Sequence, residues 1–69
     1  MQISARNVLR GRVKAINHGA VNAEVILTLP GGAEIVAVIT EAAVAGLKLA
    51  VGQEAYAVIK ASNVMVAVD

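Results

Sequence analysis

Apolar residues fill this chain in segments of strand length, and a charge or a turn residue ends each segment before it becomes longer. Residues 7–17 alternate. Leu9, Gly11, Val13 and Ala15 fall on one face and Arg10, Arg12 and Lys14 on the other, the period of a half-exposed strand. His18-Gly19-Ala20 reads as a turn, with Gly19 free to take positive φ. Residues 21–29 set Val21, Ala23, Val25, Leu27 and Leu29 opposite Asn22, Glu24, Ile26 and Thr28. Pro30-Gly31-Gly32 is the clearest turn in the chain. Residues 33–40 are apolar on both faces except at the ends, which predicts a strand covered on both sides.

A short helix is predicted next. Thr40 is suited to cap it, Glu41 favours its positive start, and Ala42, Ala43 and Leu47 are good helix formers. Gly46 and then Val51-Gly52 limit it to about two turns. Residues 54–60 form a fourth strand, with Ala55, Ala57 and Ile59 opposite Tyr56, Val58 and Lys60. Residues 64–68 are predicted as a fifth, after a break at Ser62-Asn63. Three strands, a helix and two strands is the element order of the OB type. The predicted fold is all-β, a five-stranded OB-like Greek-key barrel with one short helix between strands 3 and 4. Closing the sheet removes the bare edges that so many apolar strands would otherwise present.

Sixty-nine residues make a single domain, 1–69, and a core of that size is marginal alone. Without cysteine, disulfides and thiolate metal sites are excluded, and one histidine builds no metal site unaided. Self-association is left as the stabiliser. It agrees with a composition 58% hydrophobic and only 16% charged, in which leftover apolar surface belongs in subunit interfaces. No apolar run is long enough to span a membrane, and the first residues lack the apolar core of a secretory signal, so a cytoplasmic location is expected. Tyr56 is the only aromatic residue and the net charge is +1, which argues against a stacking nucleic-acid surface. The positive charge is nonetheless uneven, with Arg6, Arg10, Arg12 and Lys14 in the first fourteen residues.

Two polar clusters lie at the ends of the strand region. Ser4-Ala5-Arg6-Asn7 opens the first strand and Lys60-Ala61-Ser62 closes the fourth. A tetrahedral dianion presents only acceptors, so its site needs N–H and O–H donors, one or two cations and no carboxylate. Ser4, Arg6, Asn7, Lys60 and Ser62 meet that description, as do Thr40 and the first amides of the helix, that of Ala43 included. Taken alone, the same residues also read as a polar lead-in to a strand and a solvated strand end.

Ser4-Ala5-Arg6-Asn7 with Leu9, Gly11 and Val13 resembles the opening of the Mop family, the molybdenum-pterin-binding proteins or molbindins. The likeness continues through Gly19-Ala20-Val21-Asn22, Val38-Ile39-Thr40, Gly46-Leu47-Lys48-Leu49 and Gly52, and ends with Ala57-Val58-Ile59-Lys60-Ala61-Ser62. It covers essentially the whole chain and resembles the stand-alone form of the family, without a DNA-binding or ATPase part. The resemblance implies OB-like subunits assembled as a homohexamer, a trimer of dimers, that holds molybdate or tungstate between subunits for storage. It implies anion contacts from Ser4, Ala5, Arg6, Asn7, Lys60, Ala61 and Ser62, with a hydroxyl from Thr40. Ala43 departs from the family, where many members have serine; a hydroxyl is lost there and the backbone N–H is kept. The resemblance also implies a second anion site, near the symmetry axis, at Gly19, Ala20, Val21 and Asn22. A glycine there allows consecutive amides to face one way.

No catalytic constellation is visible: there is no serine–histidine–acid set with a supporting motif, no paired carboxylates and no phosphate loop, so an enzyme is not expected. The alternatives from other classes are a purely structural oligomerisation module and a small OB-type nucleic-acid-binding protein.

Overall fold

The alternating first segment becomes β1 (Asn7–His18), the strand from which the rest of the fold hangs. The computed structural model describes residues 1–69. With β2 (Asn22–Thr28), β3 (Glu34–Thr40) and β4 (Glu54–Ile59) it makes an antiparallel sheet in the order β3-β2-β1-β4. Helix α1 (Glu41–Leu47) follows β3 directly. The first half of β1 pairs with β4, from Asn7↔Ile59 to Arg12↔Glu54. Its second half pairs with β2, from Arg12↔Thr28 to His18↔Ala23. The register shifts between Val13 and Ala15, so Lys14 is the extra residue of a bulge that bends the strand and lets the sheet curl. The bulge also changes which residue faces inward. Ala15 was expected there, but Ile16 is the residue packed against the core.

Inside the curl sit Val13, Ala23, Val25, Leu27, Val44 and Ala57. The period-2 pattern of β2 and β4 therefore holds as expected, with Ala23, Val25 and Leu27 inward on one strand and Ala57 on the other. Gly11 faces the same way because nothing larger fits: an added Cβ would stand 2.7 Å from the Thr28 carbonyl oxygen. The Pro30-Gly31-Gly32 turn forms as predicted, with φ of 92° and 100° at the two glycines.

Other expectations need correction. Residues 64–68 form no strand; they run unpaired past the short 3-10 turn Ala61–Asn63, with Met65, Val66 and Val68 more than 90% exposed. The sheet therefore has four strands, not five. The curl is OB-like but open between β3 and β4, because no other segment of this chain reaches that gap. β3 was expected to be covered on both faces, yet Val36 and Val38 stand 58% and 68% exposed, since β3 is an edge and one chain has nothing left to lay over it. Thr40 caps α1 as predicted, but the helix runs through Gly46. It ends on Lys48, whose left-handed backbone (φ 53°, ψ 45°) turns its N–H onto the Ala45 and Val44 carbonyls. Gly19 does not take positive φ. Its small size serves a close approach instead, because a Cβ there would meet the Asn22 carbonyl oxygen at 2.5 Å.

Candidate functional site

Pairing of β1 with β4 brings the two polar clusters together. Asn7 and Ile59 are register partners, so Ser4-Ala5-Arg6 enters and Lys60-Ala61-Ser62 leaves at the same end of the sheet. The Asn7 side chain locks the junction, donating from Nδ2 to the Ile59 carbonyl at 3.2 Å. Beyond Ile59 the chain folds into the 3-10 turn, closed by the Asn63 N–H on the Lys60 carbonyl (2.9 Å) and the Val64 N–H on the Ala61 carbonyl (3.2 Å). The Ala61 and Ser62 amides precede those bonds and donate to no group in the chain.

The cations divide into two kinds. On the face of β1 they are engaged: Arg10 with Glu54 and over the Tyr56 ring, Arg12 on the Gly52 carbonyl at 3.0 Å, Lys14 with Glu34. Arg6, Lys48 and Lys60 are exposed and meet no acid, and Lys48 stands apart from the other two, at the end of α1. This end of the sheet therefore gathers two free positive charges, two free amides and the Ser4 and Ser62 hydroxyls, with no carboxylate among them. That donor set matches an anion whose oxygens all accept.

Thr40 and Ala43 lie elsewhere. Thr40 pairs with Asn22, beside the end of β1 where His18 pairs with Ala23, so they stand at the opposite end of β1 from Arg6 and Lys60. One chain does not bring all the sequence-predicted contacts into a single pocket. The Ala43 amide is not free either: it donates to Thr40 Oγ1 at 3.0 Å as the helix cap. What Thr40 retains is its hydroxyl hydrogen.

The turn Gly19-Ala20-Val21-Asn22 sits at this second end, and it already holds a carboxylate. Glu41 accepts from His18 Nδ1 at 2.8 and 3.0 Å and from the Gly19 N–H at 2.9 Å. The His18 hydrogen bond above all, with help from the Gly19 amide, holds the Glu41 carboxyl below its ordinary range against the opposing cost of desolvation. The Glu41 N–H in turn donates to the Val21 carbonyl at 2.8 Å. Of the turn's amides, those of Ala20 and Val21 donate to nothing in the chain. The sequence offered no sign of this clasp, because His18 and Glu41 lie 23 positions apart and neither belongs to a recognisable motif. No group of three histidine, cysteine or carboxylate side chains gathers to hold a metal ion.

Residues 3–66 match the TOBE domain family. The chain is 51% identical, over the full length of both, to a probable molybdenum-pterin-binding protein of Haemophilus influenzae. The chain is a TOBE domain of the Mop family. Among solved structures it is similar to MopII from Clostridium pasteurianum, with a TM-score of 0.92 and 40% identity over 97% of this chain and 100% of that one. It is similar also to the cytoplasmic molybdate-binding protein ModG, solved with molybdate bound, with a TM-score of 0.91 and 58% identity. That match covers 94% of this chain and 46% of ModG. As a Mop-family chain it carries the resemblance read from its two polar clusters along its whole length. No helix in it is long and apolar enough to cross a membrane.

Proposed function

We propose that this Mop-family chain is a single domain that binds molybdate or tungstate, at boundaries between copies of itself, in a cytoplasmic homohexamer built as a trimer of dimers. It has a storage role and no catalytic one. The observation that carries the reading is the division of the cations: three on β1 are engaged within the chain, two by carboxylates and one by a backbone carbonyl, while Arg6 and Lys60 stand free beside the unpartnered Ala61 and Ser62 amides. A structural lead-in to a strand gives no reason for that gathering of donors without an acid. The relatives named for molybdenum-pterin and molybdate binding supply the ligand class.

The geometry of one chain supports a site at a subunit boundary. Arg6 and Lys60 lie at one end of β1, Thr40 and Ala43 at the other. A pocket containing all of them needs one end of a chain set against the other end of a second. The further anion site at Gly19, Ala20, Val21 and Asn22 belongs to the same proposal, with a changed donor list: Glu41 takes the Gly19 amide, so Ala20 and Val21 supply the main-chain N–H groups. Equilibrium dialysis with molybdate, tungstate and sulfate tests the function. Uptake of the two larger dianions in preference to sulfate is expected. No uptake of any of them by an assembled protein would leave a structural oligomerisation module.

A further inference from the structure

We propose that Glu41 sets the charge preference of the anion site at Gly19, Ala20, Val21 and Asn22: its carboxylate, held in place by His18, weakens that site for dianions more than for monoanions. The inference rests on the second anion site proposed above and names the residue that governs it.

The turn already shows the kind of group it accepts. One Glu41 oxygen takes the Gly19 N–H at 2.9 Å, so the first amide of the run is satisfied by an anionic acceptor of the same chain. The next two amides, of Ala20 and Val21, have no partner in the chain, and both residues are exposed. An anion bound there is a neighbour of the carboxylate and not its replacement. Glu41 is also fixed in position. His18 Nδ1 reaches its two oxygens at 2.8 and 3.0 Å, and its own N–H donates to the Val21 carbonyl at 2.8 Å. His18 is thus a positioning residue, which keeps the carboxylate against the turn and out of open solvent.

The surrounding elements supply no other cation to offset that charge. On β1 the basic side chains stop at Lys14, which is paired with Glu34. At this end β3 presents Thr40, and its one charged residue, Glu34, lies at the other end of the strand. The charged residue of β2 is Glu24, itself an acid, which accepts from Asn17. Lys48 stands past the far end of α1, and Arg6 and Lys60 lie at the opposite end of β1. The lowered Glu41 carboxyl stays ionised through the neutral range.

Electrostatics then sorts ligands by charge and not by shape. An anion on the Ala20 and Val21 amides stands one or two peptides along from the carboxylate, roughly 6 Å away. At that distance in water a fixed negative charge lowers the affinity of a dianion about tenfold and of a monoanion about threefold. Molybdate and perrhenate form the test pair, both tetrahedral oxyanions of similar size, one a dianion and the other a monoanion. The site at Arg6 and Lys60 has free cations and no acid, so the two sites of one assembly differ in affinity for a dianion, the turn site being the weaker.

The test uses the assembled full chain carrying Arg6→Ala and Lys60→Ala, which weakens the other site. Molybdate and perrhenate uptake are measured by equilibrium dialysis beside sedimentation. Arg6→Ala alone serves as the background if the double variant sediments as smaller species. Adding Glu41→Gln keeps the side chain's shape and an acceptor for the Gly19 amide. It is expected to raise molybdate affinity about tenfold and perrhenate affinity about threefold. Adding Ala20→Glu as well, which returns a carboxylate to the turn, is expected to abolish both gains. Affinities left unchanged by Glu41→Gln, or raised equally for the two anions, would overturn the proposal and leave the turn site standing. A gain that survives Ala20→Glu would overturn it too, because Glu41 would then act beside Thr40 and not at the turn. No uptake with or without the Glu41 charge would remove the second site and the proposal together.

Discussion

The two ends of β1 have the same local ingredients and opposite fates. Each ends in polar residues, exposed backbone amides and a nearby basic or imidazole group. At the His18 end a carboxylate of the same chain reaches the turn, and Glu41 consumes the Gly19 amide and the His18 donor. At the Asn7 end no acid reaches Arg6 or Lys60, and the donors face outward. Donor type is thus a poor guide to a site. What matters is whether the fold supplies an acceptor from within. Donors satisfied internally, such as the Gly19 amide, become a clasp that fixes a turn, whereas those left unsatisfied, the Ala20 and Val21 amides of that same turn included, are available to a ligand.

The sharpest way to break this comparison is at the free end. Arg6→Ala and Lys60→Ala are each expected to weaken molybdate binding by about ten- to a hundredfold, since a hydrogen bond to a charged group contributes roughly 1.5–3 kcal/mol. Neither makes a hydrogen bond or ion pair through its side chain within the fold, so circular dichroism and melting are expected to stay unchanged. Arg12→Ala, whose guanidinium is spent on the Gly52 carbonyl, is expected to leave affinity near its starting value in the same titration. Equal losses from all three would mean diffuse attraction and no defined site.

Smaller effects are expected at the satisfied end. Thr40→Ala removes the acceptor of the Ala43 amide and is expected to cost about 1 kcal/mol of stability, a fall of several degrees in melting temperature for a domain of this size. A loss of anion affinity larger than the loss of stability would show the Thr40 hydroxyl to be a ligand contact as well as a cap.

Glu41→Gln is expected to have the smallest effect, and its signature is pH dependence. The folded state holds the Glu41 carboxyl below its ordinary value. Its contribution to stability is therefore present above that ordinary value and is lost as pH falls through the lowered one. The variant is expected to melt slightly below the unmodified protein at neutral pH, and the two curves to converge as the solution is acidified below the ordinary carboxylate range. A difference that persisted unchanged at low pH would show that the clasp acts through packing and not through the ionised carboxylate.

Much of the fold was legible because it rests on local pattern. Alternation located β1, β2 and β4, an apolar run between turn signals located β3, Pro30-Gly31-Gly32 marked the clearest turn, and Thr40-Glu41 the start of α1. Both polar clusters were legible too, from their chemistry and their family likeness. The chain misled where an outcome depends on distant partners. Residues 64–68 have the composition of a strand, but a strand exists only beside another, and this chain supplies none there. The bulge at Lys14, which turns Ile16 inward in place of Ala15, is settled by how β1 divides between β2 and β4.

The sequence by itself determined which segments are extended, where the chain turns, and which residues have donors to offer, because these follow from the side chain and its near neighbours. Only the tertiary structure decided which donors remain available. Long-range antiparallel pairing carried Arg6 beside Lys60 and brought Glu41, at the start of α1, against Gly19, and whether an acceptor arrives depends on where residues dozens of positions apart come to rest.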